Sequence, residues 1–137
     1  MEQNIIIKQG IGDIRFDMPV EEVVALMGTP NEVEEIDNAA DETTTVLRYL
    51  DDGITMFFEG ENPCLQCIDV DNEEYTMFGE NVFDLSEKEI VQLMVRNKYC
   101  EQDIEDEVWG ERRVSFGEAN VDFFFDGDEL VSISIGK

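Results

Sequence analysis

Ile11-Gly12-Asp13-Ile14-Arg15-Phe16-Asp17-Met18-Pro19-Val20-Glu21-Glu22-Val23-Val24-Ala25-Leu26-Met27 is written again 67 positions later as Phe78-Gly79-Glu80-Asn81-Val82-Phe83-Asp84-Leu85-Ser86-Glu87-Lys88-Glu89-Ile90-Val91-Gln92-Leu93-Met94, without a gap. Seven of the seventeen pairs are identical, against roughly one expected from ordinary residue usage. The same offset carries Tyr49–Gly60 onto Phe116–Gly127, with a shared Phe-Phe and a shared final Gly. Self-similarity at a fixed period is the mark of a duplicated structural unit.

The two copies cover about 11–70 and 78–135 of a 137-residue chain. A unit of that size rarely stabilises itself with its own core. The copies are therefore expected to bury their apolar faces together, as a single domain over residues 1–137.

In each copy a helix comes first. Pro19 suits a first helical position, and Val20, Val23, Val24, Leu26 and Met27 give an apolar stripe. Gly28 supplies a left-handed stop and Pro30 prevents the helix from resuming. In the second copy Ser86 and Glu89 have the spacing of a capping box, and Ile90, Leu93 and Met94 repeat the stripe. Before the first helix, Asn4–Ile7 reads as a short strand turned by Gly10-Ile11-Gly12. Residues 31–43 are acidic and weakly patterned, compatible with a short helix, an edge strand or a loop.

From Thr44 the hydrophobic period changes to two. Thr44–Leu50, Ile54–Phe58 and Leu65–Val70 read as strands, with Asp51-Asp52-Gly53 as a tight turn. The second copy gives Arg112–Phe116, Val121–Phe125 and Leu130–Ile135, with Glu118-Ala119-Asn120 at the turn. The expected fold is α+β: two tandem helix-plus-β-meander repeats forming one antiparallel sheet, with the helices packed on one face.

Alternation also assigns the faces. Asp122 belongs in solvent, which sends Val121, Phe123 and Phe125 inward and leaves Phe124 outward. Carried across the repeat, Ile54, Met56 and Phe58 point inward with Tyr49 and Phe116, while Thr55 and Phe57 point outward. The open face then carries Arg48, Phe57, Cys67, Arg113 and Phe124, together with Ser115, Asp122 and Ser132. Two phenylalanines on a nominally solvated face are the clearest candidates for a docking surface.

Charge narrows the partners. Nine basic against thirty-four acidic residues leave a net charge of −25, with no histidine. Such a surface repels nucleic acid phosphates and anionic lipid, so neither nucleic acid nor membrane is expected, and any long-range attraction favours a basic protein. High solubility or a salty habitat would explain the same charge. The chain is not a disordered acidic tail, because 42% of its residues are hydrophobic and recur at fixed positions.

No apolar run approaches the 18 or so residues that span a membrane, and the start lacks a basic region before a long apolar one. Three cysteines make no disulfide framework. A cytoplasmic location fits, although a chain trimmed of a leader would read the same.

Motifs for chemistry are weak throughout. Cys64-Leu65-Gln66-Cys67 lies on a strand, where neither the helix dipole that activates a redox thiol nor the other ligands of a zinc site are at hand, and strict alternation would put the two thiols on opposite faces. The role of Cys100 is left open. Asp69, Asp71, Glu73 and Glu80 have the spacing of a calcium loop, but Glu74 stands where its sharp turn needs glycine. Asp51-Asp52 and Asp126-Gly127-Asp128-Glu129 are residues that turns prefer anyway. Without histidine no base is available for a serine or cysteine nucleophile, and Gly10-Ile11-Gly12 lacks the remainder of a phosphate loop. No enzyme activity, metal or cofactor is expected. Trp109, beside Arg112 and Arg113, has the composition of an interface anchor, or else closes the core edge.

Met18-Pro19-Val20-Glu21-Glu22-Val23-Val24-Ala25-Leu26-Met27-Gly28-Thr29-Pro30, a short helix with a Gly-x-Pro stop before a meander, resembles the helix of the superfamily that includes β-lactamase inhibitor protein and the small lipoprotein of the outer-membrane barrel-assembly machine. The tandem arrangement over residues 11–135 resembles the inhibitor in particular. The second copy departs from the motif, with Val95-Arg96-Asn97 in place of Gly-x-Pro. The disulfides of the secreted inhibitor are absent and nothing matches its inhibitory loops, so inhibition of a β-lactamase is not carried over. The resemblance implies a fold and a style of action, the binding of a protein on the sheet.

The expected function is thus a non-enzymatic protein-binding module acting through Phe57 and Phe124, flanked by Arg48, Asp122, Trp109 and Arg113. An inhibitor or an immunity-type protein that neutralises a basic toxin is its natural extension. Two alternatives stand beside it: a homodimer formed through the open face or the Ile5-Ile6-Ile7 strand, and an acidic mimic of nucleic acid.

Overall fold

A computed structural model describes residues 3–37, 43–108 and 110–137. Among the described residues β-strand is the predominant secondary structure, with two α-helices. The chain forms two sheets where one was expected. The small one has the order β3 (Ile14–Arg15), β2 (Gly10–Ile11), β1 (Asn4–Ile6), β8 (Thr76–Met77). β1 pairs antiparallel with β2 and parallel with β8, so it has no free edge. The Ile5-Ile6-Ile7 segment therefore offers no strand edge to a second copy; Ile5 and Ile7 are buried in the core.

The large sheet has eight strands, all antiparallel to their neighbours: β4 (Glu32–Asp37), β5 (Thr43–Tyr49), β6 (Ile54–Glu59), β7 (Cys64–Val70), β12 (Glu129–Gly136), β11 (Val121–Asp126), β10 (Arg112–Phe116), β9 (Asp103–Asp106). Each side of the central β7–β12 pair thus carries a further meander, and each meander has one strand more than the sequence period revealed. Residues 31–43 contribute β4, the edge strand among the three options; residues 38–42 lie outside the described residues. Both outermost strands, Glu-Val-Glu-Glu-Ile-Asp and Asp-Ile-Glu-Asp, are exposed along their length. Their carboxylates discourage edge-to-edge pairing with another acidic copy.

Register departs from the constant offset at the centre. The hairpin between β6 and β7 closes Glu59 on Cys64, whereas that between β11 and β12 closes Asp126 on Glu129, two residues shorter. Leu65, Cys67 and Ile68 therefore correspond to Leu130, Ser132 and Ile133. Both meanders also carry a bulge: the ladder shifts between Phe57 and Phe58 and again between Phe124 and Phe125. The additional residues are Gln66 and Val131. As a result Leu65 and Ile68 are both fully buried although three apart, as are Leu130 and Ile133. Strict alternation, the basis for placing Cys64 and Cys67 on opposite faces, does not survive the bulge.

One face of the large sheet supplies the core. Leu47, Tyr49, Ile54, Met56, Phe58, Leu65, Ile68 and Val70 from one half join Val114, Phe116, Val121, Phe123, Phe125, Leu130, Ile133 and Ile135 from the other. Phe116 and Phe123 meet edge to face, with centroids 5.8 Å apart and planes at 88°. α1 (Val20–Met27) and α2 (Glu87–Arg96) pack on this same face with the small sheet, burying Val23, Ile90 and Met94 in one continuous cluster.

Pro19 is the N-cap of α1, one position before the first helical residue where the sequence placed it. Gly28 ends the helix at φ 85°, and its carbonyl accepts from the Tyr49 hydroxyl at 2.9 Å, anchoring the helix end to β5. Leu26, counted in the apolar stripe, is instead exposed. α2 starts with the expected box: Glu89 donates its N–H to Ser86 Oγ, and Ser86 donates its own to the Glu89 carboxylate.

Candidate functional site

With both helices and the small sheet on the core side, the other face of the large sheet is left open. Its side chains fall into rows that cross the strands. The central row runs Glu32, Arg48, Thr55, Asp69, Ser134, Asp122, Ser115, Asp103, each residue paired with the next in the ladder. Asp69 and Ser134 are the pair where the two halves meet. Phe57 stands two residues to one side of this row on β6, opposite Val46 and Cys67. Phe124 stands two residues to the other side on β11, opposite Arg113 and Ser132.

The outward assignment of both phenylalanines is reproduced, and each is half-buried. They do not form one patch. Three inter-strand spacings and four residues along the strand separate them, on the order of 20 Å. Phe57 has an apolar neighbour that the sequence reading passed over: Val46 is 1% exposed yet lies outside the main core. This pair is a small hydrophobic island on the open face.

Arg48 and Arg113 are on that face as expected, and both are occupied. Arg48 contacts Glu34 at 3.0 Å and Glu32 at 3.8 Å, both on the β4 edge. Arg113 pairs with Glu105 on the β9 edge and with Glu107 at 3.4 Å. Arg112, one residue away, turns to Glu87 at the start of α2, at 2.8 Å. These half-exposed pairs contribute little stability individually. Their effect is to remove positive potential from the face. Trp109 lies outside the described residues.

Beside Phe124 is a depression of about 400 Å³ lined by Thr55, Asp69, Asp71, Glu111, Phe124, Ser132 and Ser134. Cys67 Sγ and Ser134 Oγ are in contact at 3.5 Å, where either group can donate. Burial pushes the Cys67 thiol above its ordinary range, and nearby Asp69, Asp122 and Glu59 push the same way, outweighing the Ser134 hydroxyl. A thiol so held is protonated at neutral pH and is a poor nucleophile. Asp69 is also raised, first by burial and then by Asp122 and Asp71, against the lowering effect of Ser134. Asp69 and Ser134 could have been found only by knowing that β7 pairs with β12, a contact that local periodicity does not encode.

A carboxyl held above its ordinary range gives its full stabilisation below the unfolded-state value and loses it as pH rises through the folded one. Asp69 is therefore a liability at neutral pH. Asp69→Asn, which keeps an acceptor for Ser134, is expected to raise the thermal midpoint at pH 7 and to narrow that advantage on acidification toward pH 4, about the ordinary carboxylate value. Melting curves across that range check it; a midpoint at pH 7 equal to or below that of the parent would contradict the assignment.

Among the described residues no group of three or more Cys, Asp or Glu is arranged to hold a metal ion. No helix among them is long and apolar enough to cross a membrane. Comparison with family models, curated proteins and solved structures finds no match to this chain.

Proposed function

We propose that this chain is a non-enzymatic protein-binding module that docks a partner protein on the open face of the large sheet. The observation that carries the reading is the position of Phe57 and Phe124, half-buried on a face against which neither helix packs. Their separation suits a macromolecular partner, since a single small molecule does not reach both. The order of strands to either side of β7–β12 supports the duplicated architecture and, with the helix motif at Met18–Pro30, the resemblance to the β-lactamase inhibitor protein superfamily. An inhibitor or immunity-type protein acting on a basic partner in the cytoplasm is the most specific form of the proposal.

Exposed aromatic contacts at an interface centre each account for about 1–2 kcal/mol or more of binding. Phe57→Ser with Phe124→Ser is expected to abolish co-purification of the partner from cells that express the protein at native level, while the melting curve remains cooperative. Undiminished capture by the folded double variant would show that another surface is used. Sedimentation over a range of concentrations addresses the homodimer alternative: a stable dimer that dissociates in the double variant would assign the face to self-association. Charge weighs against that outcome, because each copy brings −25 to the encounter.

A further inference from the structure

On β12 the outward positions next to Phe124 and Asp69 are Ser132 and Ser134, side chains that rise little above the sheet. The neighbouring strands present longer groups there: Asp69 with Asp71 following β7, and Phe124 on β11; Asp122, opposite Ser134 in the ladder, stands at the margin. The depression is thus a trench along β12 with a carboxylate wall on one side and the Phe124 ring on the other, where Asp122 adds a carboxylate at the margin. No lysine or arginine lines it. The two arginines nearest on the face are held by the edge acids.

We propose that this trench receives the guanidinium of an arginine side chain presented by the partner protein, an inference that rests on the docking reading above. Charge complementarity selects the occupant. A second copy would set the same carboxylates against each other, and a phosphate or an anionic lipid would be repelled. A guanidinium offers five N–H donors in a plane, enough for carboxylates on both walls and the serine hydroxyls between them. Its flat face suits the ring of Phe124 in a way that a compact ammonium does not. A cation also relieves the unfavourable charge of Asp69, which burial and its acidic neighbours otherwise oppose.

The test uses the full chain, labelled for amide NMR, titrated at about 150 mM salt to screen long-range attraction. The probe is a capped Gly-Arg-Gly peptide, with Gly-citrulline-Gly as its neutral counterpart. Shifts confined to the amides around Thr55, Asp69, Phe124, Ser132 and Ser134, produced by the arginine peptide alone, are expected. Asp69→Asn with Asp122→Asn should weaken binding about tenfold, the effect of losing charge-assisted hydrogen bonds. Glu21→Gln with Glu22→Gln on α1 should leave it unchanged. Equal weakening by the two pairs, shifts spread over β4 and β9, or equal binding of the citrulline peptide would overturn the proposal. In partner capture, loss with the phenylalanine pair but retention with the aspartate pair overturns the trench and leaves the docking face standing. Retention with both overturns the docking face itself.

Discussion

Gly10→Ala is expected to destabilise the protein by more than about 3 kcal/mol, lowering its thermal midpoint by about 10 °C. Gly10 has φ +144°, a region that side chains avoid. A Cβ there would lie 2.0 Å from the Ile14 carbonyl oxygen and 2.9 Å from its carbon, both rigid backbone of β3. Relief requires separating β2 from β3, and with them Ile11 and Ile14, two fully buried residues of the small sheet. Gly79→Ala is the matched control. Gly79 also has positive φ, but an added methyl meets nothing within 4 Å, so only the conformational cost of about 1–2 kcal/mol applies. Thermal melts followed by circular dichroism compare the two. Equal midpoints would mean that the small sheet contributes nothing to the cooperative unit.

Phe123 and Phe124 give the second large effect, because neighbouring residues of one type serve opposite faces. Phe123→Ala removes a fully buried ring and its edge-to-face contact with Phe116, at a cost of about 3–5 kcal/mol. Phe124→Ala leaves the core untouched and should cost less than about 1.5 kcal/mol, since its ring is only partly removed from water. Chemical denaturation of the two variants separates them. If Phe124→Ala proved as costly as Phe123→Ala, the outward ring would be a second core residue and not a docking group.

The sequence made these faces readable wherever a strand alternates strictly, as Val121 to Phe125 does. It was silent where tertiary contacts decide. β2, β3 and β8 are two-residue strands whose pairing no local pattern announces, so the second sheet was missed. β4 and β9 are exposed on both faces and lack a buried set to mark the period. At Gln66 and Val131 the bulge inserts an unremarkable residue, and only the three-residue spacing from Leu65 to Ile68 and from Leu130 to Ile133 betrays it. Of the proposed binding residues, Asp122 has no ion pair among the described residues, whereas Arg48 and Arg113 are neutralised by β4, which the pattern left undecided, and by β9, which it did not mark. Composition alone would have promised them to a partner.

The pairing of Asp69 with Ser134 has a consequence for polarity. Positions around it come in couples related by a half turn of the sheet: Thr55 with Asp122, Phe57 with Phe124, Val46 with Arg113, Cys67 with Ser132. Had each couple been identical, a partner could settle in either of two orientations and lever itself no more firmly in one than the other. All but the phenylalanine couple differ, and they differ most in charge, so one orientation meets an acid and an arginine where the other meets a threonine and a valine. The face is a two-fold frame carrying a one-way pattern, and it would dictate which end of the partner lies over β4 and which over β9.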